Sequence, residues 1–211
     1  MTLSEFLTHF AVALPAVFFV VDPFGVVPIF LAMTAGDPRP KVREMALRAC
    51  LVGAGVLLFF AIFGGFVFKV LGVTLSAFKV AGGILLLITS LDMLRGRPSQ
   101  TRTSGPEQSE ATSKDDVAIV PLAIPLLAGP GSIATVMVLV SKGPMIVSGA
   151  SVLISIVLTF AGSYLILRAA AVVQRVLKHS GVAILERLFG LILAAIAVQF
   201  MAEGTRDLLL H

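Results

Sequence analysis

Two short segments hold the residues best placed to do chemistry. The first is VDPFGVVPIF (21–30), with Asp22, Pro23, Gly25 and Pro28. The second is AIPLLAGPGSIAT (123–135), with Pro125, Gly129, Pro130, Gly131, Ser132 and Thr135. Both lie inside long apolar runs. Proline lacks a backbone donor and its ring clashes with the preceding turn, while glycine weakens a helix through its conformational freedom. Together these residues predict an interrupted helix in each segment. Pro23 and Pro130 suit the first position of a new half-helix, where no amide donor is needed, with Asp22 and Gly129 as the caps before them. Such a half-helix presents unpaired N–H groups and the positive end of its dipole, which suit a carboxylate or another anionic group.

Asp22 is the sharpest single residue. A carboxylate deep in an apolar span is costly and usually faces the interior. It reads as a site for a substrate amine, a coupling proton or a cation, or only as the cap of the half-helix; the two readings are compatible. Ser132 and Thr135 either donate to a substrate or bond to their own helix backbone. Asp92, Gln199 and Glu203 read as residues of the membrane interface. Glu186 and Arg187 read as the capped, head-group-anchored start of the last span. Gly64-Gly65 and Gly82-Gly83 read as points of close helix packing. The single cysteine, Cys50, and the scattered His9, His179 and His211 have no metal-ligand spacing, so no metal or other cofactor is expected. Nor do the spans carry the nucleophile–base pair of an intramembrane enzyme.

The elements that position these residues follow from composition. The chain has 211 residues, 57% hydrophobic and 13% charged, with a mean hydropathy of +1.02. A soluble domain of this length needs far more polar surface. A bilayer core of about 30 Å takes roughly 20 apolar residues per helix. Six windows qualify: 6–35, 46–71, 74–94, 117–141, 145–172 and 184–205. The expected fold is all-α, a polytopic membrane protein of six transmembrane helices with the first and fourth broken. The N-terminus lacks the basic region of a secretory signal and reads as a retained first span. Residues 95–116, rich in Ser, Thr, Pro, Gly and charge, read as a flexible cytoplasmic linker between units 1–94 and 117–211.

Charge sets the expected orientation. Arg39, Lys41, Arg43, Arg48, Arg95, Arg97, Arg102, Lys114, Arg168, Arg175, Lys178 and Arg187 fall on one side of the six spans; only Lys69, Lys79, Lys142 and Arg206 fall on the other. By the positive-inside rule the first side is cytoplasmic and both termini are periplasmic. The net charge of +4 is explained in the same way. No basic–aromatic clusters accompany it, so nucleic acid is not an expected partner.

The halves align at one offset. Asp22-Pro23 falls on Gly129-Pro130 and Gly83 on Gly190, both 107 residues on; GILLLI (83–88) then lies over GLILAA (190–195). Three spans is an odd number, so the second copy crosses the membrane in the opposite sense. Two inverted three-helix repeats with matched helix breaks are the plan of many secondary transporters.

PLAIPLLAGPGSIATVM (121–137), DPFGVVPIFLAMT (22–34) and AGGILLLITSLDML (81–94) resemble the MarC family of bacterial inner-membrane proteins over essentially the whole chain apart from the linker. That resemblance implies a six-span protein related to the LysE-type exporter superfamily, some of whose MarC members are linked to transport of small neutral amino acids such as glycine and alanine. It also implies a binding site at Asp22, Pro23, Gly25, Pro28, Gly129, Pro130, Gly131 and Ser132, to which Thr135 is added here. Many members have Asn-Pro where this chain has Asp22-Pro23, which adds a negative charge and puts the usual coupling or substrate in doubt. The expected function is an inner-membrane secondary transporter. Its expected partners are a small-molecule substrate, a coupling proton or cation and the lipid bilayer; an oligomer is left open. A drug or metabolite exporter of the same architecture, and a membrane protein without transport, are the alternatives.

Overall fold

A computed structural model describes residues 3–96 and 126–210, and all regular structure among them is helical. In chain order the helices are α1 (Leu3–Val21), α2 (Pro23–Met33), α3 (Arg39–Leu71), α4 (Leu75–Arg95), α5 (Pro130–Ser141), α6 (Met145–Arg168) and α7 (Ala170–Leu209). The expected linker, from 97 on, and the first part of the fourth window, including Pro125, lie outside the described residues.

Each boundary has a local cause. The α1–α2 junction is at Asp22-Pro23, so the first window is one broken span. Gly72 takes a left-handed φ of 67° to end α3, and Thr74 then caps α4 by accepting from the Ala77 amide at 3.2 Å. Gly96, with φ 64°, ends α4 in the same left-handed way; both turns use the freedom that glycine has without a Cβ. Lys178 breaks the regular dihedrals of α7 (φ 55°, ψ −179°), so its apolar part is Ser180–Leu209.

Five helical stretches among the described residues are long and apolar enough to cross a bilayer: Leu3–Met33, Arg39–Leu71, Leu75–Arg95, Ile146–Arg168 and Ser180–Leu209. The 12-residue Pro130–Ser141 is the apolar second part of the fourth window. Its length of roughly 18 Å covers only part of a crossing. The described residues are thus all-helical in their regular structure, and the chain is a polytopic membrane protein.

The helices α4 and α7 pack antiparallel along their length. Gly204 lies against the start of α4, where an added Cβ would stand 2.7 Å from the Ser76 carbonyl oxygen. Gly83 lies against Ala197 and Met201, and Gly190 against Ser90, Met93 and Leu94. The two middle contacts repeat each other. A Cβ on Gly83 would stand 2.8 Å from the Ala197 carbonyl oxygen, and one on Gly190 would stand 3.0 Å from that of Ser90. Gly83 to Gly190 and Ser90 to Ala197 are both 107 residues apart. The expectation of close packing at Gly64 and Gly82 also holds, with Met137 over Gly64 and Ala134 over Gly82, whereas Gly65 faces open space.

The main core joins α1, α2, α3 and α6 through Val17, Val21, Val27, Phe30, Leu57 and Ile156. Along α6, Ser148, Ser151, Ser155 and Ser163 are fully buried, and each donates its hydroxyl to a nearby carbonyl. Small, internally satisfied side chains let membrane helices approach closely where lipid offers no hydrophobic drive for association. Lys79 at the start of α4 pairs with Asp207, Lys142 at the end of α5 pairs with Glu203, and His9 covers Gly143. Both termini therefore lie at the same end of the helices.

Candidate functional site

The first interruption is built by Asp22. Its amide donates to the Phe18 carbonyl at 3.0 Å, which closes α1. Its backbone then turns left-handed (φ 50°, ψ 63°), a conformation that aspartate tolerates better than most residues. Its Oδ1 accepts from the Gly25 amide at 3.2 Å, and Pro23 occupies the first helical position, as the sequence suggested. Pro28 does not extend the break. The chain stays helical from Pro23 to Met33, with Pro28 inside it, so the only break here is at Asp22.

Asp22 is 2% exposed, and it has company the sequence did not reveal. A Cβ added to Gly25 would overlap Asp22 Oδ2 and lie 3.1 Å from Glu186 Oε1. Two carboxylates thus converge on a bare stretch of backbone at the start of α2. Glu186 is not the terminal cap of the last span, because α7 begins at Ala170 and its apolar part at Ser180. It lies inside the helix and reaches across to α2. No local pattern marks it; only the packing of α2 on α7 does.

The second interruption is of a different kind. Gly129 is extended (φ −77°, ψ 171°) and offers no side-chain cap, Pro130 again takes the first helical position, and α5 starts there. The first amides of such a helix have no intrahelical partner. Ser132 donates its hydroxyl to the Gly129 carbonyl at 2.9 Å, and Thr135 donates to Gly131 at 2.9 Å. Both hydroxyl protons are thus used within the helix, the plainer of the two readings made from the sequence.

The two interruptions are neighbours. A Cβ on Gly131 would lie 3.8 Å from Val20 at the end of α1 and 3.0 Å from Leu86 of α4. A cavity of about 20 Å³ lies at the second break, lined by Val20, Leu86, Thr89 and residues 129–132. That holds about one water molecule. Around the first break, Phe18, Phe19 and Phe24 pack against Phe189 of α7, with Phe19 and Phe189 centroids 4.7 Å apart. Gly129, Pro130, Gly131 and Ser132 line the cavity, whereas Asp22, Pro23 and Gly25 stand beside Glu186 at the first break and outside its lining. Pro28 lies further along α2, and Thr135 a turn into α5. The first break carries two carboxylates; the second is an uncharged helix N-terminus with its positive dipole end.

Residues 6–209 match the MarC family of integral membrane proteins. A UPF0056 membrane protein of Methanocaldococcus jannaschii is 40% identical over 97% of this chain and 99% of its own length. The UPF0056 membrane protein YvbG of Bacillus subtilis is 33% identical over 97% of this chain and 96% of its own length. YhcE of Escherichia coli is 28% identical over 90% of this chain and 89% of its own. No solved structure matches. With the family match spanning nearly the whole chain, the protein belongs to the MarC family of integral membrane proteins.

Proposed function

We propose that the protein is a secondary transporter of small neutral amino acids in the cytoplasmic membrane, the inner membrane of a bacterial cell. The two interruptions form its substrate site. In this reading the chain is two inverted three-helix repeats, 1–94 and 117–211, joined by a cytoplasmic linker, with both termini outside. The repeated Gly83 and Gly190 crossings at one offset support that plan, as does the packing of each broken helix on the last helix of the other half: α2 on α7 at Glu186, and α5 on α4 at Gly82 and Leu86.

The observation that carries the proposal is the contrast between the two neighbouring breaks. A neutral amino acid has an ammonium and a carboxylate on one carbon. Asp22 and Glu186 suit the ammonium, and the free amides of α5 suit the carboxylate. The cavity at the second break is too small for an amino acid and does not reach Asp22 or Glu186, so in this reading the site is closed in this conformation and the halves have to part before substrate binds. Rocking of one repeat against the other opens such a site to each side in turn. The chain has no nucleotide-binding motif, so the energy source is an ion gradient, with Asp22 and Glu186 as the carriers of a proton or cation.

The test is uptake of labelled alanine into proteoliposomes under imposed proton and sodium gradients. Asp22→Asn keeps a capping acceptor and removes the charge. Uptake is expected to fall at least tenfold in the variant while its thermal stability stays close to that of the parent. Undiminished flux in Asp22→Asn, or no flux of any small neutral amino acid by the parent protein, overturns the proposal.

A further inference from the structure

A second polar constellation lies at the end of the molecule that carries both termini. Glu203 Oε1 accepts from Lys142 Nζ at 2.9 Å and from Gln199 Nε2 at 2.6 Å. Lys142 ends α5, and its ammonium also stands 5.3 Å from the centroid of Phe200, which helps to hold it in place. Lys142 and Gln199 both line a cavity of about 320 Å³ between α1 and α7. The rest of that cavity is apolar, with Pro15, Phe19, Ile192 and Ile196 among its walls. A second hollow of about 230 Å³ reaches Lys142 from the side of Thr8, His9 and Ser151.

An ammonium and a side-chain amide that converge on one carboxylate oxygen are a carboxylate receptor. Here the receptor stands at the edge of an apolar hollow, and its occupant is a side chain of the same helix that carries Gln199. The hollow falls within the usual size of small-molecule sites, roughly 300–1,000 Å³, with apolar walls and few polar groups. We infer that Lys142 and Gln199 form a binding site for monocarboxylates with an apolar tail, and that Glu203 is an internal occupant which the incoming carboxylate displaces. The displaced Glu203 keeps a cation within electrostatic reach in Lys79, which is itself held by Asp207 at 2.9 Å. The site is distinct from the helix breaks and does not depend on the transport proposal.

Titration calorimetry on the full-length protein in nanodiscs, with empty nanodiscs as the blank, tests this with butanoate, hexanoate and hexylamine. Burial of the tail predicts about fourfold tighter binding per methylene, so hexanoate, with two more, should bind about fifteenfold tighter than butanoate. Hexylamine should give no heat above the blank. Glu203→Gln, which removes the competing charge, should tighten hexanoate binding about tenfold; Lys142→Gln should weaken it at least tenfold, and Lys142→Arg should retain it. If Lys142→Gln proves unstable, Glu203→Gln and Gln199→Leu carry the test, with tightening expected from the first and weakening from the second. Hexanoate heat no larger than the blank, binding unchanged in folded Lys142→Gln, or weaker binding in Glu203→Gln would each overturn the inference.

Discussion

At Gly25 the missing side chain decides what its neighbours can do. The bare backbone lets Asp22 reach back to cap α2 and lets Glu186 approach from α7. Alanine is the better helix former by about 1 kcal/mol. Its Cβ would nonetheless overlap Asp22 Oδ2 and crowd Glu186, so one or both carboxylates would have to move. Gly25→Ala should therefore leave the melting temperature within a few degrees of the parent, since the propensity gain offsets the crowding. Alanine uptake by proteoliposomes should fall at least tenfold. A variant that transports normally would show that the approach of the two carboxylates is incidental.

At the level of elements, the antiparallel pair α4 and α7 makes the most extensive contact among the described helices, and its closeness rests on glycines. Carbonyl oxygens stand where the Cβ atoms of Gly83 and Gly190 would go, at 2.8 and 3.0 Å. Backbone atoms cannot swing aside as a long side chain can, so a methyl group at either place separates the helices. Overpacking of this sort costs about 1–3 kcal/mol. Gly83→Ala and Gly190→Ala should each lower the thermal unfolding midpoint in detergent, and by similar amounts, because the two crossings are equivalent. Gly55→Ala and Gly162→Ala face open space and serve as controls with no loss. Equal melting for all four would mean that the close crossing contributes nothing to stability. The α1–α2 and α5 breaks are positioned by the same pair, since α2 leans on α7 and α5 on α4.

For the whole molecule, the basic residues and the fold describe the same asymmetry. Arg39, Arg43 and Arg48 fall in the early part of α3, and Arg168 and Arg175 at the junction of α6 and α7, away from the end that carries both termini. By the positive-inside rule, the topology proposed above has the termini outside the cell, which labelling tests. Cys50 is buried and is the only cysteine, so it gives a quiet background for labelling. Cysteines placed at Ser4 and Leu210 should react with a membrane-impermeant maleimide on intact cells. Cysteines placed at Arg43 and Arg175 should react only after the membrane is opened. The reverse pattern would invert the topology and make the ion-paired end of Lys142 and Glu203 cytoplasmic.

The sequence by itself determined the membrane class, five of the spans, the break at Asp22-Pro23 and the restart of the chain at Gly129-Pro130. These are properties of consecutive residues: a run of apolar side chains, or a proline that cannot donate, acts through its own backbone wherever it is placed. Pro28 was misjudged because a proline one and a half turns into a helix that has just started removes few bonds, and its neighbours carry the helix past it. Ser132 and Thr135 left two readings open, since a hydroxyl proton goes either to its own helix or to a ligand. Only the tertiary structure decided that the two breaks are adjacent, that Glu186 stands beside Asp22, and that Lys142 and Gln199 share a carboxylate at the mouth of an apolar hollow. Each of these joins residues far apart in the chain, and which of them meet is set by the packing of whole helices, where a rotation about a helix axis exchanges one set of partners for another while every local pattern stays the same.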